Sequence, residues 1–94
     1  MAEPQVKLID FWAAWCGPCK VMNPIIEEIE AQFAGKIVVE KIDVDATENQ
    51  EAVAKYRVMA MPTYFVVKNG EVFEQFVGAQ SKTTLINSIN KALG

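Results

Sequence analysis

Two cysteines three positions apart form the most chemically specific pattern in the sequence. Cys16 and Cys19 enclose Gly17 and Pro18, and no other cysteine occurs among the 94 residues. Two cysteines are too few for a disulfide framework and are half of a four-thiolate zinc site. Histidine is absent, which removes mechanisms that need imidazole as a base. The pair therefore favours reversible thiol–disulfide chemistry; half of a metal site or an inert buried pair are the alternatives.

The cysteines are predicted to lie where the first strand meets the first helix. Residues three apart on a helix have Cβ atoms about 5 to 6 Å apart, and a disulfide needs about 3.5 to 4.5 Å, so a small adjustment closes the bond. Free amides and the dipole at a helix N-terminus favour an anion by up to about 2 kcal/mol, which lowers the pKa of a Cys16 thiol placed there. Glycine lets another chain approach the backbone, and proline suits the first turn of a helix.

The hydrophobic pattern predicts one α/β domain over residues 1–94 with the element order βαβαββα. Val6–Trp12 is a nearly continuous apolar run, as expected for a strand covered on both faces. Residues 17–33 repeat apolar side chains at helical spacing, and residues 37–43 read as a second strand. A strand, helix and strand of these lengths predict a right-handed crossover and parallel pairing. The predicted apolar face of this helix consists of Val21, Met22, Ile25, Ile29 and Phe33.

The second half of the chain is predicted to add a hairpin to this unit. Strand-like runs at residues 63–67 and 72–77 flank Asn69 and Gly70, which supply the positive φ angles of a tight turn. The result is a four-stranded mixed sheet in the order 2-1-3-4. The first and third helices are expected on one face and the second helix on the other.

Capping residues predict where the last two helices begin. Thr47 and Gln50 have the spacing of a capping box, which predicts a helix with Thr47 as its N-cap. Ser81 is predicted to cap the final helix, which has apolar residues at Leu85, Ile86, Ile89 and Leu93.

Asp10 interrupts the apolar run of the first strand. A carboxylate at this position is expected to be buried, and burial raises the pKa of a carboxyl group and suits it to proton transfer. Asp10 is therefore a candidate base for the Cys19 thiol. The alternative is a buried ion pair without catalytic use.

The residues around the cysteine pair resemble the thioredoxin family. The resemblance rests on the segment IDFWAAWCGPCK at residues 9–20, with MPT at 61–63, KNG at 68–70 and VGA at 77–79 in register. It implies a minimal thioredoxin fold and a thiol–disulfide oxidoreductase that reduces protein disulfides. It implies no cofactor besides the cysteine pair, and it implies disulfide-containing target proteins and a thioredoxin reductase as partners.

The resemblance also implies roles for individual residues. Cys16 attacks a target disulfide, Cys19 resolves the mixed disulfide, and Asp10 serves as the base with Lys41 of the second strand as its neighbour. A cis peptide bond is implied before Pro62. Trp15 is expected beside an exposed Cys16 sulfur, and the implied apolar contact surface consists of Trp15, Met59, Ala60, Met61, Pro62, Gly78 and Ala79.

The start of the chain departs from the family pattern. Family members usually begin with an additional strand and helix, whereas this chain starts almost at the strand that carries Asp10. We expect the second strand to be a sheet edge, with charges at Lys36, Glu40 and Lys41 that discourage edge pairing.

The charge and hydropathy of the sequence argue against several classes of binding partner. The net charge is -3 and no basic run occurs, so neither nucleic acid nor an anionic membrane is an expected partner. No apolar stretch approaches the ~20 residues of a spanning helix, and the first residues lack the order of a signal peptide. We expect a cytoplasmic monomer.

Two other functions are compatible with the same pattern. A thiol oxidase or isomerase of this fold typically carries a histidine before the second cysteine, where this sequence has Pro18. A binding module would keep the fold while its thiol chemistry is incidental. The reductase is the leading hypothesis.

Overall fold

The computed structural model describes residues 4–94, which form four strands, three α-helices and one short 3-10 helix. The elements are β1 (Val6–Trp12), α1 (Gly17–Gln32), β2 (Val38–Asp43), the 3-10 helix (Thr47–Asn49), α2 (Gln50–Lys55), β3 (Thr63–Lys68), β4 (Glu71–Val77) and α3 (Lys82–Leu93). The predicted order of strands and α-helices is confirmed, and each strand boundary agrees with its prediction to within one residue.

The four strands form one mixed sheet in the order β2-β1-β3-β4. β1 pairs in parallel with β2 and antiparallel with β3, and β3 pairs antiparallel with β4. The hairpin turn between β3 and β4 places Asn69 and Gly70 at φ values of 53° and 82°. Both the predicted sheet order and the predicted hairpin are confirmed, and β2 lies at an edge of this sheet as expected.

Helices cover both faces of β1. α1 and α3 pack on one face, and α2 packs on the other. Because successive side chains of a strand point to opposite faces, Leu8 enters the core under α1 and α3 while Phe11 enters the core under α2. The Phe11 ring lies 5.6 Å from the Tyr56 ring and 5.7 Å from the Phe65 ring, measured between centroids. Asp10 lies two residues after Leu8 on β1, so its side chain points to the same face of the sheet, toward α1.

The buried face of α1 differs from the predicted one. Met22, Ile26 and Ile29 are buried, whereas the Val21 side chain is 68% exposed. With Phe33 at the C-cap, the buried positions are spaced by four, three and four residues, which follows the 3.6-residue period. The assignment of Val21 to this face was wrong, and Ile26 takes its place.

The predicted capping box before α2 is also wrong. Thr47 opens the 3-10 helix and makes no side-chain cap, and α2 begins at Gln50. The Gln50 side-chain amide donates to the carbonyls of Val44 and Ala46, at 2.9 Å each. A capping box would instead use the Gln50 side-chain oxygen to accept a hydrogen bond from the Thr47 amide.

The start of α3 agrees with its prediction. Ser81 is the N-cap, and its hydroxyl accepts a hydrogen bond from the Thr84 amide at 3.1 Å. Leu85 and Ile89 are buried, but Leu93 at the last turn is 40% exposed and Ala92 is buried in its place.

Candidate active site

The cysteine pair lies at the start of α1. Cys16 is the N-cap residue in an extended conformation, and its Sγ accepts a hydrogen bond from the backbone amide of Cys19 at 3.2 Å. A disulfide joins the two residues, with their Cα atoms 5.3 Å apart. Pro18 stands in the first turn, and a Cβ added at Gly17 would meet nothing within 4 Å. The helix terminus therefore directs an amide at one sulfur and leaves open space beside it.

Both cysteines are largely enclosed in this disulfide form. Cys16 and Cys19 are each 3% exposed, in a cluster with Ala13, and Trp12 and Met61 pack against that cluster. The expectation that the Cys16 sulfur is exposed is wrong for this form, because Cys16 packs with Cys19 and Ala13 in a buried cluster.

Trp15 is the exposed aromatic side chain beside the pair. It is 67% exposed, and its indole Nε1 donates to Oδ2 of Asp45 at 2.8 Å. Sequence reasoning missed Asp45, which lies 30 residues away. A topological signal was available, since parallel strands bring the loops after β1 and β2 to the same edge of the sheet. The Val44 amide donates a hydrogen bond to the Trp12 carbonyl at 3.0 Å, which shows that these two loops lie side by side.

Asp10 is buried as expected, at 3% exposure. Its Oδ1 has no hydrogen-bond partner among residues 4–94. Burial raises the pKa of Asp10 from 3.8 to about 6, although the charge of Lys41 opposes the rise. Tyr64 is the Cα partner of Asp10 on β3, and burial together with Asp10 raises the pKa of that phenol. Burial therefore makes the Asp10 carboxyl group a weaker acid than an exposed aspartic acid.

Lys41 is the Cα partner of Asp10 on β2, but its ammonium group is engaged elsewhere. Lys41 Nζ lies 3.3 Å from Oε1 of Glu30 on α1, and both side chains are about half exposed. A groove of about 400 Å³ reaches Asp10 at this place, and its lining includes Glu27, Lys41 and Asp43. The structure thus brings Lys41 beside Asp10 in the sheet without a direct ion pair between them.

The remaining residues assigned to the contact surface fall in two loops joined by a hydrogen bond. The Met61-Pro62 bond is cis, as the resemblance implied. The Gly78 amide donates to the Pro62 carbonyl at 2.8 Å, which brings the segment of Gly78 and Ala79 beside Met61. Met59, at 93% exposure, Ala60 and Ala79 are exposed, whereas Met61 and Gly78 are half-buried. Pro62 is buried, so its ring is not part of an exposed surface.

The described residues form neither a metal-binding cluster nor a membrane-spanning helix. Within residues 4–94, no group of three or more His, Cys, Asp or Glu side chains is arranged to hold a metal ion. The helices of residues 4–94 all lack the length and the apolar character that a bilayer-spanning helix requires.

Comparison with known proteins decides the family. The family model described as Thioredoxin matches residues 1–91. The chain belongs to the thioredoxin family. It is 50% identical over 88 residues to the thioredoxin of Bacillus subtilis strain 168, covering 94% of this chain and 83% of that protein. It is 46% identical over 91 residues to the thioredoxin of Staphylococcus aureus strain N315, covering 97% and 86%.

Solved thioredoxin structures share the fold. A single-site mutant of the thioredoxin from Halobacterium salinarum NRC-1 superposes with a TM-score of 0.86 at 37% identity, covering 97% of this chain and 77% of that one. The oxidised form of mitochondrial thioredoxin 3 from Saccharomyces cerevisiae gives 0.82 at 32% identity, covering 95% and 80%. With its disulfide-forming pair, this thioredoxin-family chain is a thiol–disulfide oxidoreductase that reduces protein disulfides.

Proposed function

We propose that Cys16 is the nucleophile and Cys19 the resolving cysteine of this reductase. The Cys16 thiolate attacks one sulfur of a target disulfide, forms a mixed disulfide and releases the first target thiolate. The Cys19 thiol then loses its proton and attacks Cys16 Sγ, which breaks the mixed disulfide and releases the second target thiolate. Two electrons pass from the cysteine pair to the target, and the two released thiolates take up protons.

One observation carries this assignment of roles: the Cys19 amide donates to Cys16 Sγ at the N-cap of α1. A hydrogen-bond donor and a helix N-terminus both favour a thiolate over a thiol. Cys19 is the third residue of the helix, so its sulfur lies farther from the N-terminus and receives less of this effect, which falls off within the first turn. The asymmetry makes Cys16 the better attacking and leaving group.

Asp10 is proposed as the base that receives the Cys19 proton, directly or through water. Its burial, its unpartnered Oδ1 and its pKa of about 6 suit a carboxylate that is ionised at neutral pH and still basic. Lys41 is proposed to tune Asp10 through its charge, which acts against the effect of burial. The alternative role of Asp10 in a buried ion pair has less support, because the ammonium group of Lys41 is paired with Glu30.

The target is proposed to bind across Trp15 and the two loops beside the cysteines. Trp15, Met59 and the small residues Ala60 and Ala79 give an exposed, mainly apolar surface that can accept varied extended chains. Met61 and Gly78 contribute at the half-buried floor, and Pro62 acts from beneath by holding the loop. The active-site dipeptide of Gly17 and Pro18 leaves the open approach to the sulfur.

The cellular setting is proposed from the chemistry. A reductase acts where thiols are kept reduced, which favours the cytoplasm and a role in redox homeostasis. A thioredoxin reductase is the proposed electron donor that returns the disulfide to the dithiol, so the chain transports electrons without a further cofactor. The charged residues Glu40 and Lys41 on the β2 edge favour a monomer.

Turnover of a protein disulfide in the presence of a thioredoxin reductase tests this proposal. The parent is expected to turn over, Cys16→Ser to be inactive without forming an adduct, and Cys19→Ser to accumulate a mixed disulfide through Cys16. The sequence contains no other cysteine, so the adduct site is unambiguous. An adduct that forms through Cys19 in the Cys16→Ser variant, at the rate seen with Cys16, would overturn the assignment of roles.

A further inference from the structure

The ion pair between Lys41 and Glu30 lies at the edge of the groove that reaches Asp10. Lys41 and Asp10 are register partners on adjacent parallel strands, so their side chains leave the same face of the sheet toward α1. The Lys41 ammonium nevertheless lies 3.3 Å from Glu30 Oε1 of α1, where both side chains are about half exposed. Oδ1 of Asp10 is left without a hydrogen-bond partner among the described residues.

The other charged and titratable groups around this groove cannot substitute for that ammonium. Glu27 on α1, Asp43 on β2 and Glu48 on the 3-10 helix line it with carboxylates. Tyr64 on β3 is the register partner of Asp10, and burial, together with the charge of Asp10, raises the pKa of its phenol. Among the described residues that line the groove, Lys41 is the one basic side chain, so its position decides how much positive charge Asp10 meets.

We propose that Glu30 is a positioning residue that holds the Lys41 ammonium group away from Asp10 and so keeps the carboxyl group unpaired and the groove open to water. The inference rests on the proposed role of Asp10 as a base. An ammonium group that moved onto Asp10 would form a direct, poorly hydrated ion pair, which strongly favours the ionised carboxylate. A carboxylate held in such a pair is a weaker base for the Cys19 proton.

The Glu30→Gln variant tests this inference by freeing Lys41. We expect the pKa of Asp10 to fall by about one pH unit, since a cation that comes within about 4 to 6 Å of a carboxylate lowers its pKa by roughly 1 to 3 units. This corresponds to about a tenfold change in the acid dissociation constant of Asp10. The titration is followed by the carboxyl carbon resonance of Asp10 in the oxidised protein, where the cysteines do not titrate.

Glu28→Gln is the matched control. Glu28 lies on the same helix and pairs with Lys82 at 3.2 Å, with exposure similar to that of the Glu30 pair. The substitution removes the same charge and a comparable ion pair, but Lys82 is not among the residues that line the groove. We expect the pKa of Asp10 to stay within about 0.3 units of the parent value in this variant, as for a remote, screened surface charge.

A second set of variants, made in the Lys41→Gln background, separates two effects of Glu30 on the pKa of Asp10: the positioning of the Lys41 ammonium group and the direct electrostatic effect of the Glu30 charge. In that background, Glu30→Gln should leave the pKa of Asp10 nearly unchanged. The inference is overturned if Glu30→Gln does not lower that pKa, if Glu28→Gln lowers it equally, or if the full decrease persists without Lys41.

The rate of resolution distinguishes failure of this inference from failure of the proposed function. If the pKa of Asp10 falls while resolution of the mixed disulfide keeps the parent pH profile, Glu30 positions Lys41 but Asp10 is not the base. If Asp10→Asn slows resolution while Glu30→Gln leaves the titration of Asp10 unchanged, Asp10 remains the base and the positioning role of Glu30 is wrong.

Discussion

Replacing Asp10 by Asn is expected to make the oxidised protein more stable at neutral pH. The carboxyl group is 3% exposed, and its pKa rises from 3.8 to about 6 mainly through burial. A raised carboxyl pKa means that the folded protein binds this proton more tightly than the unfolded chain does. Stability therefore falls as the pH rises through the interval between the two values, and the cost is fully present above the folded-state pKa.

The size of the effect follows from the same two pKa values. Each pKa unit corresponds to 1.36 kcal/mol, so the ionised Asp10 costs about 3 kcal/mol of the free energy of unfolding at pH 8. About 2 of these 3 kcal/mol are removed between pH 6 and pH 4, where the folded protein takes up the proton, and nearly all by pH 3. Against a typical total of about 5 to 15 kcal/mol, this is a large change for one side chain.

Urea unfolding of the oxidised parent and Asp10→Asn from pH 3 to pH 8 measures this cost. Asn has nearly the shape of a protonated Asp. The difference in free energy of unfolding between parent and variant at pH 3 therefore reports how well the Asn side chain packs at this position. The growth of that difference up to pH 8 then isolates the charge. We expect the variant to gain about 3 kcal/mol on the parent over this range.

A stability difference that stays constant with pH would refute the reasoning, because it would show that Asp10 carries no raised pKa in the folded protein. If the variant instead loses stability relative to the parent as the pH rises, the pKa of Asp10 is lowered by folding rather than raised, as expected for a carboxylate stabilised by an ion pair.

Two further substitutions test the packing that positions the site. Ser81→Ala removes the side-chain acceptor at the N-cap of α3 and should lower the free energy of unfolding by about 1 kcal/mol. The control Thr83→Ala, at an exposed position of the same helix, should change it by less than about 0.5 kcal/mol, and equal losses in the two variants would contradict the cap. Phe11→Ala removes a fully buried ring between Tyr56 and Phe65 and should cost about 3 to 5 kcal/mol in urea unfolding, and a loss below about 1 kcal/mol would be inconsistent with that packing.

The elements around the cysteines could be predicted because their signals are local. The apolar run of β1, the helical repeat that follows and the position of Cys16 between them are set by neighbouring residues, and the structure agrees with all three. The burial of Asp10 also follows from a local pattern, since a strand covered on both faces leaves no exposed position in its middle.

Two contacts that escaped prediction join segments that are distant in the sequence. Trp15 and Asp45 meet because two loops share an edge of the sheet, and Lys41 and Glu30 meet because the Lys41 side chain leaves β2 on the face of the sheet that α1 covers. Spacing along the chain carries no information on such pairs. The start of α2 was missed for a local reason, because the capping pattern did not show that the Gln50 side chain would donate to the carbonyls of Val44 and Ala46 just before it.

The short loop closed by the disulfide suits repeated opening and closing. Cys16 and Cys19 are three positions apart, and closing so small a loop restricts the unfolded chain by only about 2 kcal/mol, against nearly 5 kcal/mol for a loop of about 100 residues. The more a disulfide stabilises the folded protein, the harder it is to reduce there, so a short loop leaves the pair readily reducible. The amide at Cys16 Sγ acts in the same direction, because it stabilises the thiolate that reduction produces. Placement of the pair at a helix N-terminus thus favours both the proposed attack by Cys16 and the regeneration of its thiolate.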